Sequence, residues 1–73
     1  MNEFYNFFSN YIDKDDLSEV GFGEITRLVL YRDDRRALIE IVNQKLLSSE
    51  LIDRVQKSIA NGLQLNKIDF KVK

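Results

Sequence analysis

The fold is decided by residues 25–42, which read ITRLVLYRDDRRALIEIV. Two runs of aliphatic and β-branched residues, Ile25–Tyr31 and Ala37–Val42, are typical of strands. The polar residues between them indicate a tight turn centred on Asp33 and Asp34. The stretch therefore predicts a β-hairpin.

The register of this hairpin sorts its side chains into two faces. One face is mostly apolar and pairs Leu30 with Ala37, Leu28 with Ile39 and Thr26 with Ile41. The other face has three kinds of pair. Arg36 lies opposite the ring of Tyr31, the apolar Val29 lies opposite Leu38, and Arg27 lies opposite the oppositely charged Glu40. A slip of one residue would exchange the faces. We expect the first face to be buried and the second to be open.

A helix is predicted before the hairpin and another after it. Aromatic and aliphatic residues recur at the helical period near the start of the chain: Phe4, Phe7, Phe8, Tyr11 and Ile12. A polar connector beginning at Asp13–Asp16 follows, and Gly21-Phe22-Gly23 indicates a loop. The second helix is predicted over Leu47–Asn61, with Ser48 or Ser49 as N-cap and Gly62 as the left-handed residue after its end. The acid-first pairs Glu50–Arg54 and Asp53–Lys57 indicate its solvent side.

The last element is a strand, because apolar and charged residues alternate strictly over Lys67–Lys73. A helix joins it to the second hairpin strand, so those two strands are expected to be parallel. The predicted fold class is α+β, a two-layer αββαβ domain with a three-stranded mixed sheet and helices on one face. Residues 1–73 are expected to form a single small domain, excised from the start of a larger protein.

Composition excludes several classes of function. The chain has no Cys and no His, which removes disulfides, thiolate or imidazole metal sites, Cys nucleophiles and Ser-His-Asp triads. A formal net charge of −1 argues against a protein that coats nucleic acid. No apolar run is long enough for a membrane span, and the N-terminus does not resemble a secretory signal. We expect a cytoplasmic protein with no enzymatic activity of its own, no cofactor and no metal.

Two acidic patterns in the sequence suggest chemistry at first sight. Asp13, Asp15, Glu19 and Glu24 match four ligand positions of an EF-hand loop, but Leu17 and Ser18 stand where a ligand and the turn glycine are required. The adjacent carboxylates Asp33 and Asp34 lie in a solvent-exposed turn flanked by arginines. Such a turn has no cleft that would make one carboxyl group an acid and the other a base. We interpret the first pattern as a polar connector and the second as a hairpin turn.

The open face of the sheet is the candidate functional surface. It is expected to display ten residues, five basic and two acidic: Arg27, Val29, Tyr31, Arg36, Leu38, Glu40, Lys67, Asp69, Lys71 and Lys73. A protein partner would use the apolar centre and its arginines, namely Val29, Tyr31, Leu38, Arg27 and Arg36. The alternative is single-stranded nucleic acid held by Lys67, Lys71 and Lys73 beside one aromatic ring.

Four segments of the chain resemble a known family. They are Gly23–Leu28, Arg35–Ile41, the helix Leu51–Leu63 and the strand with Ile68, Phe70 and Val72. Together they resemble the extreme N-terminal domain of PolC-type DNA polymerase III, the replicative α subunit of low-GC Gram-positive bacteria. The resemblance implies that polymerase and 3′–5′ exonuclease activities lie in later domains, and that no catalytic residue lies here. It also implies a docking module that contacts the clamp-loader τ subunit. The isolated domain is expected to be a monomer.

Overall fold

The computed structural model describes residues 3–73 and has α+β architecture. Its helices are α1 (Phe4–Phe8), a 3₁₀ turn (Ser9–Tyr11), α2 (Lys14–Val20) and α3 (Ser49–Leu63). Its strands are β1 (Glu24–Tyr31), β2 (Arg36–Val42) and β3 (Lys67–Val72), arranged in the order β1-β2-β3. The first pair is antiparallel and the second is parallel, so the predicted three-stranded mixed sheet is confirmed.

The N-terminal region differs from the prediction of one long helix. The α-helix ends at Phe8, and α2 occupies the segment predicted as a polar connector. Helix α2 buries Val20, and Asp15 and Asp16 lie in its first turn, where the helix dipole favours carboxylates. Two turns carry too few apolar residues to produce a periodic pattern, which is why the sequence did not indicate this helix.

The aromatic stripe is only partly buried. Phe4, Phe8 and Ile12 belong to the core, but Phe7 and Tyr11 remain substantially exposed. The helical period of these five residues indicates one buried face, but the structure buries only three of them. Tyr11 lies in the 3₁₀ turn, where the tighter geometry changes the direction of its side chain. Phe7 lies within α1 beside Leu28 of β1, which is also exposed.

The hairpin register is confirmed for five of the six predicted pairs, and Thr26 is the exception. A β-bulge between Ile25 and Arg27 places Ile25, instead of Thr26, opposite Ile41. Ile25 thereby enters the core, and the Thr26 hydroxyl donates a hydrogen bond to the Glu40 carbonyl at 3.3 Å. The bulge changes which residue numbers face inward along β1.

The turn between the strands is centred on Asp33 and Asp34, as predicted. The Arg35 N–H donates to the Arg32 carbonyl at 3.2 Å, and Arg35 has a φ of 50°. The Arg35 guanidinium donates to the Gln64 carbonyl at 2.6 Å, and the Asn66 N–H donates to the Arg35 carbonyl at 2.6 Å. The hairpin tip is therefore tied to the loop between α3 and β3.

The buried residues of all three strands lie on one face of the sheet: Ile25, Ala37, Ile39, Ile41, Ile68 and Phe70. One core joins them to helix and loop residues, namely Phe4, Phe8, Ile12, Val20, Leu47, Leu51, Val55 and Ile59. The ring centroid of Phe4 lies 4.8 Å from that of Phe8 and 5.7 Å from that of Phe70, which joins α1 directly to β3.

Leu28 and Leu30 depart from the predicted burial. Each lies opposite a buried residue of β2, yet their side chains are 48% and 55% exposed. Strand β1 is an edge of the sheet, and α3 packs along β3 at the opposite edge. The apolar face of β1 therefore extends beyond the helical layer.

Helix α3 spans Ser49–Leu63, so it begins and ends two residues later than the predicted Leu47–Asn61, and its N-cap is one of the two predicted serines. Ser48 is the N-cap, and its hydroxyl accepts a hydrogen bond from the Leu51 N–H at 3.1 Å. The left-handed residue at the C-terminus is Gln64, with a φ of 57°, so the prediction of Gly62 for this role was wrong. Gly62 lies inside the helix, where a Cβ atom would overlap the ring of Tyr11.

The ion pairs of α3 match the prediction in one case of two. Asp53 and Lys57 form an i,i+4 pair at 2.9 Å. Arg54 does not pair with Glu50, because the Nε and Nη2 atoms of its guanidinium bind Asp16 of α2. This contact could not be predicted without α2.

Candidate partner-binding surface

The open face is a grid of three residues from each strand, as the strand registers require. Its first row is Tyr31, Arg36 and Lys67; its second is Val29, Leu38 and Asp69; its third is Arg27, Glu40 and Lys71. Lys73 follows just beyond the end of β3. The five residues predicted to bind a protein partner therefore lie together on β1 and β2, and the three lysines of the alternative line β3.

The row nearest the turn contains the predicted cation–ring pair. The Arg36 guanidinium carbon lies 4.3 Å from the ring centroid of Tyr31, within the range of a cation–π contact. An Nη atom of Arg36 also lies 3.8 Å from a carboxylate oxygen of Asp34. The Nε–H of Arg36 is covered and has no acceptor within residues 3–73. Arg36 is therefore held mainly by the tyrosine ring, and one face of that ring is occupied.

The apolar centre of the grid is a narrow strip. Val29 and Leu38 are half-buried, and Tyr31 is 37% exposed. Long charged side chains stand on both sides of them in the neighbouring rows. The surface thus combines a narrow apolar strip with a charged rim, an arrangement common in transient protein interfaces.

Both carboxylates of the open face have lysine partners. Lys67 lies 3.6 Å from Asp69, and Lys73 lies 3.8 Å from Glu40. Arg27 and Lys71 make no ion pair with any residue of the range 3–73. Because exposed ion pairs contribute only about 0–1 kcal/mol each, the face keeps its basic character and its side chains can exchange partners.

A second exposed apolar surface, which was not predicted, lies on the opposite side of β1. We define the β1 apolar edge as Phe7, Leu28 and Leu30, with Phe7 49% exposed. Phe7 and Leu28 line one shallow hollow together with Ile25. An indication was available in the sequence: a three-stranded sheet has two edge strands, and the single long helix belongs to the β2–β3 crossover.

The backbone of β1 is also open along this edge. Within the described residues, its outer side is paired at one end only, where Glu3 forms an isolated bridge with Glu24. An edge strand with unpaired N–H and C=O groups is a template for a further strand. The edge thus offers hydrogen-bonding groups and apolar side chains at the same place.

The acidic residues that match EF-hand ligand positions do not form a cation site in the described part of the chain. Nowhere in residues 3–73 do three His, Cys, Asp or Glu side chains come together in an arrangement that could hold a metal ion. Glu19 and Glu24 line an open hollow of about 440 Å³, which Phe22 and Val42 also border. Phe22 is highly exposed there.

The strongest electrostatic contact lies away from both surfaces. Arg54 donates from Nε and Nη2 to the two carboxylate oxygens of Asp16, at 3.1 and 2.8 Å. These hydrogen bonds hold the pKa of Asp16 below its ordinary value, against a smaller opposing effect of desolvation. The same bonds raise the pKa of Arg54. The pair joins α2 to α3 and has a structural role.

Comparisons of the chain with protein-family models, with curated proteins and with solved structures give no match. Among the described residues, none of the helices is both long and apolar enough to span a membrane.

Proposed function

We propose that this chain is a non-catalytic protein-docking domain. The single observation that carries the proposal is the hairpin register, which brings Arg27, Val29, Tyr31, Leu38 and Arg36 onto one accessible sheet face. The mixture of one tyrosine, arginines and a half-buried aliphatic strip is the composition favoured at protein interfaces. Its resemblance to the start of PolC-type polymerases makes the clamp-loader τ subunit the first candidate partner, and tethering of the polymerase the candidate role.

The test is a titration of the ¹⁵N-labelled chain with the C-terminal region of a clamp-loader τ subunit. We expect chemical-shift changes grouped at Val29, Tyr31 and Leu38, because these residues form the centre of the proposed interface. Arg27→Glu should weaken binding at least tenfold, since this unpaired cation borders that centre. Lys14→Glu, in α2, is the matched charge reversal away from the face and should leave the affinity unchanged. Saturable binding with unchanged signals at the three residues would reject this face.

A second candidate function is an accessory surface for single-stranded nucleic acid. The observation in its favour is the row of Lys67, Lys71 and Lys73 along β3, next to the Tyr31–Arg36 pair. Arg36 already covers one face of the ring that a base would stack on, and the face offers no second aromatic ring among the described residues. This contact favours the protein partner.

The nucleic-acid alternative predicts binding of an oligothymidine whose affinity falls steeply with salt, because phosphate contacts release counterions. Replacing the three lysines with glutamine should abolish that binding. An affinity below detection at low salt would exclude the alternative and leave the protein-docking proposal intact.

A further inference from the structure

The β1 apolar edge requires a separate explanation, since it lies on the opposite side of the strand from the open face. Leu28 and Leu30 are half exposed although their cross-strand neighbours Ile39 and Ala37 are buried. The strand that carries them has an unpaired outer backbone over residues 25–31 within the described range. Natural edge strands usually carry charges or irregularities that prevent pairing. In β1 the bulge at Thr26 and the charge of Arg27 lie at one end, and the stretch Leu28–Tyr31 has neither.

Val29 is the central residue of the regular part of β1. The bulge at Thr26 ends it on one side, and the turn beginning at Arg32 ends it on the other. Five residues remain, Arg27–Tyr31, with Val29 at their centre. A segment of this kind can pair with an identical antiparallel segment about a two-fold axis.

We propose that two copies of this chain associate through β1, antiparallel about a two-fold axis at Val29, to form a continuous six-stranded sheet. Leu28 of each copy then lies opposite Leu30 of the other, on the helical side of the sheet. The two Phe7 rings border these four leucines. Association would bury the apolar side chains that a single copy leaves exposed.

The charges of the segment fit a second copy. Arg27 is its one charged residue, and the proposed register places Arg27 opposite Tyr31 of the second copy, so no like charges face each other. The ring of Tyr31 already binds Arg36 on the β2 side, and Arg27 would approach it from the side of the new neighbour. Within one copy Arg27 has no ion-pair partner among residues 3–73, because its cross-strand neighbour Glu40 pairs with Lys73, so the cation is free to turn toward the second copy. This inference goes beyond the docking proposal and replaces the monomer expected from the sequence.

Sedimentation equilibrium of the 73-residue chain over a range of concentrations tests the proposal. We expect the mass to rise from the monomer value of 8.6 kDa to twice that value. The double variant Leu28→Lys/Leu30→Lys should stay monomeric, because it places lysines opposite lysines. Leu46→Lys changes a leucine that is 99% exposed and lies outside the sheet, so this control should dimerise like the parent chain.

A charge-exchange experiment tests the register itself. The variants Leu28→Lys/Leu30→Lys and Leu28→Glu/Leu30→Glu should each be monomeric alone and should form a heterodimer when mixed, since opposite charges then face each other. Restored association also shows that both variants are folded. A parent chain that stays at 8.6 kDa up to millimolar concentration overturns the proposal, as does a dimer that survives the double lysine variant. Neither experiment contains a binding partner, so its outcome is independent of the docking test.

Discussion

Gly62 shows how one missing Cβ atom sets the packing of two elements. The glycine lies within α3, against the ring of Tyr11 in the 3₁₀ turn, and any larger residue would overlap that ring. At an unobstructed helix position, alanine would be more stable than glycine by roughly 0.5–1 kcal/mol. The contact with Tyr11 reverses this preference.

We predict that Gly62→Ala lowers the free energy of unfolding by about 1–3 kcal/mol, the usual cost of forcing extra volume into a packed site. In a Tyr11→Ala background the same substitution should instead stabilise the chain by roughly 0.5–1 kcal/mol. Urea unfolding of the four proteins measures both values. A stabilising effect of Gly62→Ala with Tyr11 present would contradict the packing described here.

The Asp16–Arg54 pair makes stability depend on pH in a defined direction. Because the pKa of Asp16 is lower in the folded protein than its ordinary value of 3.8, its contribution is complete above that value. The contribution is lost as the pH falls through the lowered pKa of the folded state. We predict that Asp16→Asn lowers the urea midpoint at pH 7 and that the difference from the parent chain disappears under strongly acidic conditions. Asp33→Asn, in the exposed turn, is the control for loss of a charge and should show a much smaller difference at pH 7.

At the scale of elements, the hairpin was predictable because two independent patterns agree on its register. Alternation sorts the side chains of β2 into buried and open faces, and Asp33 and Asp34 fix where the chain reverses. The bulge at Thr26 is indicated only weakly in the sequence. The residues of β1 on the helical side have odd numbers up to Ile25 and even numbers from Leu28 onward. Alternation analysed over the whole strand averages such a change away.

The parts that the sequence did not reveal depend on contacts between distant segments. Helix α2 is held by Val20 in the core and by the contact of Asp16 with Arg54. The exposure of Leu28 and Leu30 depends on where α3 lies over the sheet, which periodicity alone does not determine. The residues of the open face lie on one side of the sheet as predicted, because their positions follow from strand registers, and Val29 and Leu38 are half-buried there.

The start of α3 allows a prediction with a matched neighbour. Ser48→Ala removes the side-chain acceptor of the Leu51 N–H and should lower the free energy of unfolding by about 1 kcal/mol. Ser49→Ala, one residue further into the helix, removes no cap and should have almost no effect. Equal losses in the two variants, measured by thermal or urea unfolding, would show that Ser48 is not the cap.

The stability of the whole molecule depends on a core that covers the inward side chains of β2 and β3 but leaves most of those of β1 exposed. Domains of this length have a free energy of unfolding on the order of 4–11 kcal/mol, so a single central side chain is a large share of it. Ile39 and Leu28 are direct cross-strand partners on the same face, yet Ile39 is fully buried and Leu28 is not. They form a natural pair for comparison.

We predict that Ile39→Ala costs about 2–5 kcal/mol and leaves the chain partly unfolded, whereas Leu28→Ala costs less than about 1 kcal/mol. The measurement should be made at micromolar concentration, so that any association through β1 does not add to the effect of Leu28. Similar losses at the two positions would mean that the helical layer extends over β1.

The parallel pairing of β2 with β3 has a consequence for biosynthesis. A ribosome releases the chain from its N-terminus, so the hairpin of residues 24–42 emerges well before Lys67–Val72. During that interval the future middle strand has one neighbour, and Ile39 and Phe70 cannot yet meet. The nascent hairpin therefore has two unpaired strand edges, the outer edges of β1 and β2. The edge of β2 can be covered only after residue 72 has been translated.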